Sequence, residues 1–221
     1  MLILGLDASL ARCSAAVLAD GVVRAERCEE GGRGYATALP TLVRATLRDA
    51  GVQAAALDGV AVTVGPGSFT GIRAALALAH GIALAVGRPV LGVTVAEALA
   101  DAVPRRDGRA LWVAIDSRRS RVFLHRGDGD FFPVAVDALP CPGGPVVVAG
   151  DAADAVAALL AARGADVTLS GARLPLARHV AAVGAARLAG VLAPLAAQPL
   201  YIDPPEARPP AGGLRPPPQA G

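Results

Sequence analysis

Short apolar runs broken by turn residues set the rhythm of the first hundred positions. Residues 2–6 (Leu-Ile-Leu-Gly-Leu) form such a run, closed by Asp7, and read as a buried strand. Residues 14–19 and 22–26 read as two more strands hinged on Asp20-Gly21. Three strands in a row predict a meander rather than an immediate strand–helix–strand unit. Beyond a glycine-rich loop at 31–34, Leu39, Leu42, Val43 and Leu47 recur at helical spacing, with Gly51 as the stop. Pro40 suits the first turn of that helix or kinks it. Residues 57–64 read as a strand, 65–71 as a turn, 72–86 as a helix ending near Gly87, and 90–93 as a further strand. Thr94 and Glu97 form a capping box for a helix running to about residue 103.

The pattern then repeats. A polar stretch at 104–109 marks a boundary. Residues 111–115, 121–125 and 131–136 are again consecutive strand-like runs, followed by a loop at 137–145 and a strand at 146–149. Helices are expected from Asp151 to about Arg163 and within 176–192. Two halves that each open on a meander predict a duplicated α/β fold, with lobes at 1–103 and 104–203. Residues 204–221 are dominated by Pro, Gly and Ala and are expected to be a disordered tail.

Composition narrows the chemistry. The 221 residues are 53% hydrophobic, enough to bury a substantial core. A formal charge of +2 makes no case for a nucleic-acid or membrane surface. All 21 basic residues are Arg, and Lys and Asn are absent, which excludes a P-loop lysine, a Schiff-base lysine and an Asn-linked glycan. Cys13, Cys28 and Cys141 lack metal or redox spacing and fit free thiols in a reducing cytosol. Asp7 interrupts the opening apolar run and no positive segment precedes it, so no signal peptide is expected. The longest uncharged apolar run, 74–86, is too short to span a bilayer.

The segment 60–73 carries the most information: a strand, then Gly65-Pro66-Gly67-Ser68-Phe69-Thr70-Gly71, then a helix opening with Ile72-Arg73. Ser68 is placed to cap that helix, and the exposed amides and helix dipole of the turn could hold an anion. The alternative is a turn that simply caps its own helix. The glycine spacing is one residue off the dinucleotide fingerprint and no acid follows the next strand, so a Rossmann reading fails. A nucleophile elbow fails too, since Ser68 lacks the flanking G-x-S-x-G.

These residues resemble the signature of the TsaB (YeaZ) family. The likeness extends to Leu4-Gly5-Leu6-Asp7-Ala8-Ser9, Cys13-Ser14-Ala15-Ala16, Pro89-Val90-Leu91-Gly92-Val93-Thr94, Ala114-Ile115-Asp116-Ser117-Arg118-Arg119 and Pro199-Leu200-Tyr201-Ile202. Gly34 and Val64 depart from it, standing where many relatives carry His and Arg. The resemblance implies an actin/hexokinase/Hsp70-like fold of two α/β lobes. It also implies a cytoplasmic, catalytically inert subunit in threonylcarbamoyladenosine synthesis on tRNA, without a cofactor. Its partners would be the catalytic subunit TsaD and the ATPase TsaE; alone it could form a homodimer. The family pairs through its first two helices, which places Leu39, Leu42, Val43, Thr46, Ile72, Ala75, Leu76, Ala79 and Ile82 at the partner interface. The helix at 72–86 is apolar nearly all round and is either core or interface.

An enzyme of the same fold, ATP-dependent or peptidase-like, is the other reading. Asp7 and Ser9 sit where a first phosphate hairpin would be, but residues 10–13 give that turn no glycine. Asp7 is equally a strand-end carboxylate bonded to turn amides. Asp116 either faces an interlobe cleft or belongs to a surface cluster with Arg118 and Arg119. The related catalytic subunit carries a His-x-x-x-His metal pair, and the matching positions here are Val95 and Leu99, which cannot ligate. His80, His125 and His179 share no motif.

Overall fold

A computed structural model describes residues 1–30, 35–118 and 120–202. The Gly34 departure and the tail at 204–221 lie outside the described residues.

The opening meander is β1 (Leu2–Asp7), β2 (Arg12–Ala19) and β3 (Val22–Glu30). Asp20 and Gly21 both take positive φ, 49° and 79°, which suits the two-residue turn joining β2 to β3. Helix α1 (Tyr35–Asp49) leads to β4 (Gly59–Gly65), α2 (Phe69–Val86) and β5 (Val90–Thr94), giving a sheet in the order β3-β2-β1-β4-β5. Helix α3 (Val95–Asp101) follows at once, with the Thr94–Glu97 capping box in place. The second half runs β6 (Ala110–Asp116), β7 (Arg121–Arg126), β8 (Asp128–Ala135), β9 (Val146–Ala149), α4 (Ala153–Ala162), β10 (Val167–Leu169) and α5 (Ala177–Leu188). Its sheet order, β8-β7-β6-β9-β10, is the first order over again. This is the duplicated, two-sheet actin/hexokinase/Hsp70-like α/β architecture.

Strand periodicity decides which helix covers which face. On β1, Leu4 and Leu6 point to one side and meet α1 and α2 through Leu39, Leu42, Val43, Ile72, Leu76 and Ala79. Ile3 points to the other and meets Val180, Ala181 and Val183 of α5. A Cβ on Gly5 would stand 2.2 Å from the Ala177 carbonyl, so glycine there lets α5 lie directly on the sheet. On the second sheet, Trp112 and Ala114 of β6 face Val156 and Leu160 of α4. Leu111, Val113 and Ile115 face Val95 and Leu99 of α3. Helix α3 thus lies between the two sheets, with Val95 and Leu99 against the second and Ala98 in the cluster of the first, while α5 covers the first.

Several sequence boundaries shift for local reasons. Helix α2 begins at Phe69, one turn before the expected Ile72, because Ser68 caps it by accepting from the Gly71 amide. Its 18 residues then reach the length and composition of a membrane span, where the uncharged run alone falls short. Its inner stripe of Ile72, Ala75, Leu76, Ala79 and Ala83 is nonetheless packed in this chain's own core. Helix α4 begins at Ala153, not Asp151, whose carboxylate is engaged elsewhere. Strand β8 yields at Val136 to a single 3₁₀ turn, Val136–Ala138.

Candidate interlobe cleft and partner surface

The Gly65–Gly71 turn packs against the first hairpin rather than standing open. The Gly65–Pro66 peptide is cis. A Cβ on Gly67 would come within 2.1 Å of the Ser9 carbonyl, and one on Gly71 within 2.0 Å of the Ala8 carbonyl. The Ser68 amide donates to the Ser9 carbonyl at 2.6 Å, and the Gly71 amide donates to Ser68 Oγ at 3.2 Å. The Ser68 and Gly71 amides, two of the candidates for an anion, are thus engaged within the chain, where they form a cap and a seam.

Beside the seam lies a cleft of about 200 Å³. Ser9, Gly67, Ser68, Phe69 and Thr70 line it from the first half, and Asp116, Arg118 and Asp151 from the second. Gly65, Gly71 and Asp7 are buried and do not line it. Asp116 Oδ1 accepts from the Arg118 amide at 2.7 Å, and the Asp116 amide donates to Asp151 Oδ1 at 2.9 Å. Asp151 is exposed as a residue, yet desolvation pushes its carboxyl above the usual range; the Asp116 amide pulls it back and the Asp116 carboxylate pushes it up again. Sequence reasoning missed Asp151 as a cleft residue. The available signal was its place just past β9, matching Asp7 at the end of β1 and Asp116 at the end of β6.

Asp7 is fully buried under the cleft floor. Its Oδ1 accepts from Ser9 Oγ at 2.6 Å, Thr63 Oγ1 at 2.7 Å and the Ser9 amide at 3.1 Å, while Oδ2 has no hydrogen-bond partner. Desolvation raises its carboxyl above the ordinary aspartate value, against the pull of those donors. Between the two values the folded chain holds a proton that the unfolded chain has released. The Asp7 contribution to stability therefore falls as pH rises through that window. Asp7→Asn is expected to keep the fold and flatten this slope, read as urea midpoints from about pH 4 to about pH 8.

The proposed interface residues need correcting. Leu39, Leu42, Val43, Thr46, Ile72, Ala75, Leu76 and Ala79 are buried between α1, α2 and the first sheet, and Ile82 is half-buried. Thr46 Oγ1 donates to the Leu42 carbonyl within α1. Apart from Ile82, these side chains set the spacing of the two helices and have no surface left for a partner. The outward stripe of α2 is Thr70, Arg73, Ala77, Gly81 and Leu84, with Leu84 85% exposed. Alongside it α1 presents Thr41, Arg44 and Arg48.

Val95 and Leu99, standing at the metal-pair positions, are wholly buried against Leu111, Val113 and Ile115. Among the described residues no histidine lines the cleft.

The profile of the TsaD family, tRNA N6-adenosine threonylcarbamoyltransferase, matches residues 27–193. Among curated proteins, the tRNA N6-adenosine threonylcarbamoyltransferase of Sorangium cellulosum is 33% identical over 83% of this chain and 67% of its own length. The tRNA threonylcarbamoyladenosine biosynthesis protein TsaB of Escherichia coli is 32% identical over 56% of this chain and 53% of its own. Among solved structures, a Pseudomonas aeruginosa protein described as similar to the peptidase YeaZ superposes with a TM-score of 0.76. It is 28% identical and covers 91% of this chain and 99% of that one. The chain belongs to the TsaB (YeaZ) family. The family's place in tRNA threonylcarbamoyladenosine biosynthesis comes with it. The chain spans about two thirds of the first of these curated relatives and about half of the second.

Proposed function

We propose that this chain is a noncatalytic subunit of tRNA threonylcarbamoyladenosine synthesis in the cytosol, one that binds and supports a TsaD-type transferase. The observation that carries this reading is the helix after β5. Where the related transferase is expected to hold a metal with two histidines, α3 presents Val95 and Leu99, and both are consumed as core against the second sheet. What remains for function is surface. The outward stripe of α2 pairs small residues, Ala77 and Gly81, with the strongly exposed Leu84, a combination that lets a partner helix approach closely and bury an apolar anchor. A TsaE-type ATPase would join the larger assembly. A homodimer of the isolated chain would use the same stripe and compete with the transferase.

The enzymatic reading rests on the Asp116–Asp151 pair at the cleft. A peptidase-like site is disfavoured because Ser68 Oγ is engaged as a helix cap, and among the described residues no histidine lines the cleft to activate it. The purified chain is expected to turn over no ATP and to retain no stoichiometric transition metal, checked by phosphate release and elemental analysis. A bound metal with an activity lost on chelation would overturn the noncatalytic reading.

A further inference from the structure

Phe69, the first residue of α2, is 59% exposed, although a phenylalanine at a helix start gains nothing from water. The Arg73 guanidinium, one turn on, lies over its ring at 3.7 Å from the centroid. Arg73 Nη2 also donates to the Tyr201 hydroxyl at 2.7 Å, and the guanidinium carbon is 6.0 Å from the Tyr201 ring centroid. Tyr201 is itself 57% exposed. Two rings and one planar cation are thus held in register at the surface, next to an apolar crevice of about 60 Å³ floored by Ile72. On the other side Phe69 borders the cleft, where Thr70 and Arg118 offer hydrogen-bond donors.

Holding three long side chains in place without burying them costs rotamer entropy. The arrangement suits a flat, π-faced ligand that meets surfaces already oriented. We propose that Phe69, Arg73 and Tyr201 form a stacking platform for an unpaired base of single-stranded RNA. This rests on the tRNA-modification reading above and adds a direct RNA contact to it. Stacking is tolerant of sequence, because every base presents a π-face, and Arg73 supplies a cation beside the two rings. A protein anchor fits less well. The apolar anchor Leu84 stands about 22 Å away along the same helix, and the crevice beside Phe69, about 60 Å³, is too small to seat a second large side chain.

The test uses the full chain and a fluorescein-labelled single-stranded RNA of about 12 nucleotides, with a blunt duplex of the same sequence as competitor. The single strand is expected to bind and the duplex to compete poorly. Phe69→Ala and Tyr201→Ala are each expected to weaken binding about fivefold or more. Phe69→Trp is expected to retain affinity, and its indole emission to be quenched by the RNA. The native Trp112 is buried and supplies a constant background. Leu84→Glu is expected to leave RNA binding unchanged while losing the transferase, which separates this proposal from the partner reading. Absence of RNA binding, equal competition by the duplex, or unchanged affinity in Phe69→Ala would overturn the platform. So would Phe69→Ala losing the transferase while its RNA affinity stays the same. RNA binding through Phe69 in a chain that captures no transferase would uphold the platform and remove the scaffold.

Discussion

Leu84→Glu is expected to leave a folded chain that no longer captures a TsaD-type transferase, while Ala79→Glu, five residues earlier on the same helix, is expected to unfold it. The two positions face opposite ways: Ala79 is buried in the core between α2 and the first sheet, and Leu84 projects into water. In the free chain a carboxylate at position 84 stays hydrated and costs little. In a desolvated helix–helix contact it would be stranded without a partner, which costs several kcal/mol of binding, about 3–5 when one side of a buried pair is missing. At position 79 the same charge is stranded in the folded state itself. The outcome should alternate with helical period: Ala77, Gly81 and Leu84 separate binding from folding, and Ala75, Ala79 and Ala83 do not. Thermal melts by circular dichroism and pull-downs with the cognate transferase read the two effects independently. If charges at all three outward positions leave capture intact, the partner surface lies elsewhere.

Gly71→Ala is expected to be severely destabilising and Gly81→Ala mildly stabilising, although both glycines lie in α2. Alanine is the better helix former by about 0.5–1 kcal/mol, and at Gly81 nothing stands within 4 Å of the added methyl. At Gly71 the methyl would sit 2.0 Å from the Ala8 carbonyl oxygen, a backbone atom that cannot swing away. Relief requires the first hairpin and the α2 turn to separate. That would break the Ser68 amide bond to Ser9 and disturb the Asp7 cluster beneath. The loss belongs with overpacking at its upper end, about 3 kcal/mol or more. Urea denaturation of the two variants should shift in opposite directions.

The repeated strand meanders, the capping box at Thr94 and the Ser68 cap were legible in the sequence because each depends on neighbours a few residues apart. The stripe on α2 was not. With alanine or another apolar residue at nearly every position from Ala74 to Ala79, periodicity has no contrast to work with, and only the position of the sheet tells Ala75 from Ala77. The interface residues were misplaced for that reason: the most apolar positions were the ones the chain needed for itself. Strand β10 was missed because three residues give no alternation to detect. The cleft was half legible. Ser9, the glycine turn and Asp116 announce themselves as strand-end polar residues, but Asp151 reads as the start of a helix, and only the bond of its carboxylate to the Asp116 amide places it in the cleft. The Phe69–Arg73–Tyr201 cluster joins positions more than a hundred residues apart, and no local pattern could pair them.

The dependence of the first sheet on α5, the last helix among the described residues, has a consequence for synthesis. When residues up to Asp101 have left the ribosome, all five strands of the first sheet and the two helices of one face exist. The other face, with Ile3, Leu18, Ala61 and Leu91, has only Ala98 of α3 against it until α5 is made. At about 5–20 residues per second that helix is complete roughly 4–17 s later. Over that interval the nascent first half carries an apolar sheet face that α3 covers only in part, and Val95 and Leu99 of α3 have no second sheet to meet. Neither half can close its layers until both have been made, so the chain becomes folded late and all together, with a window in which a chaperone has a defined surface to shield.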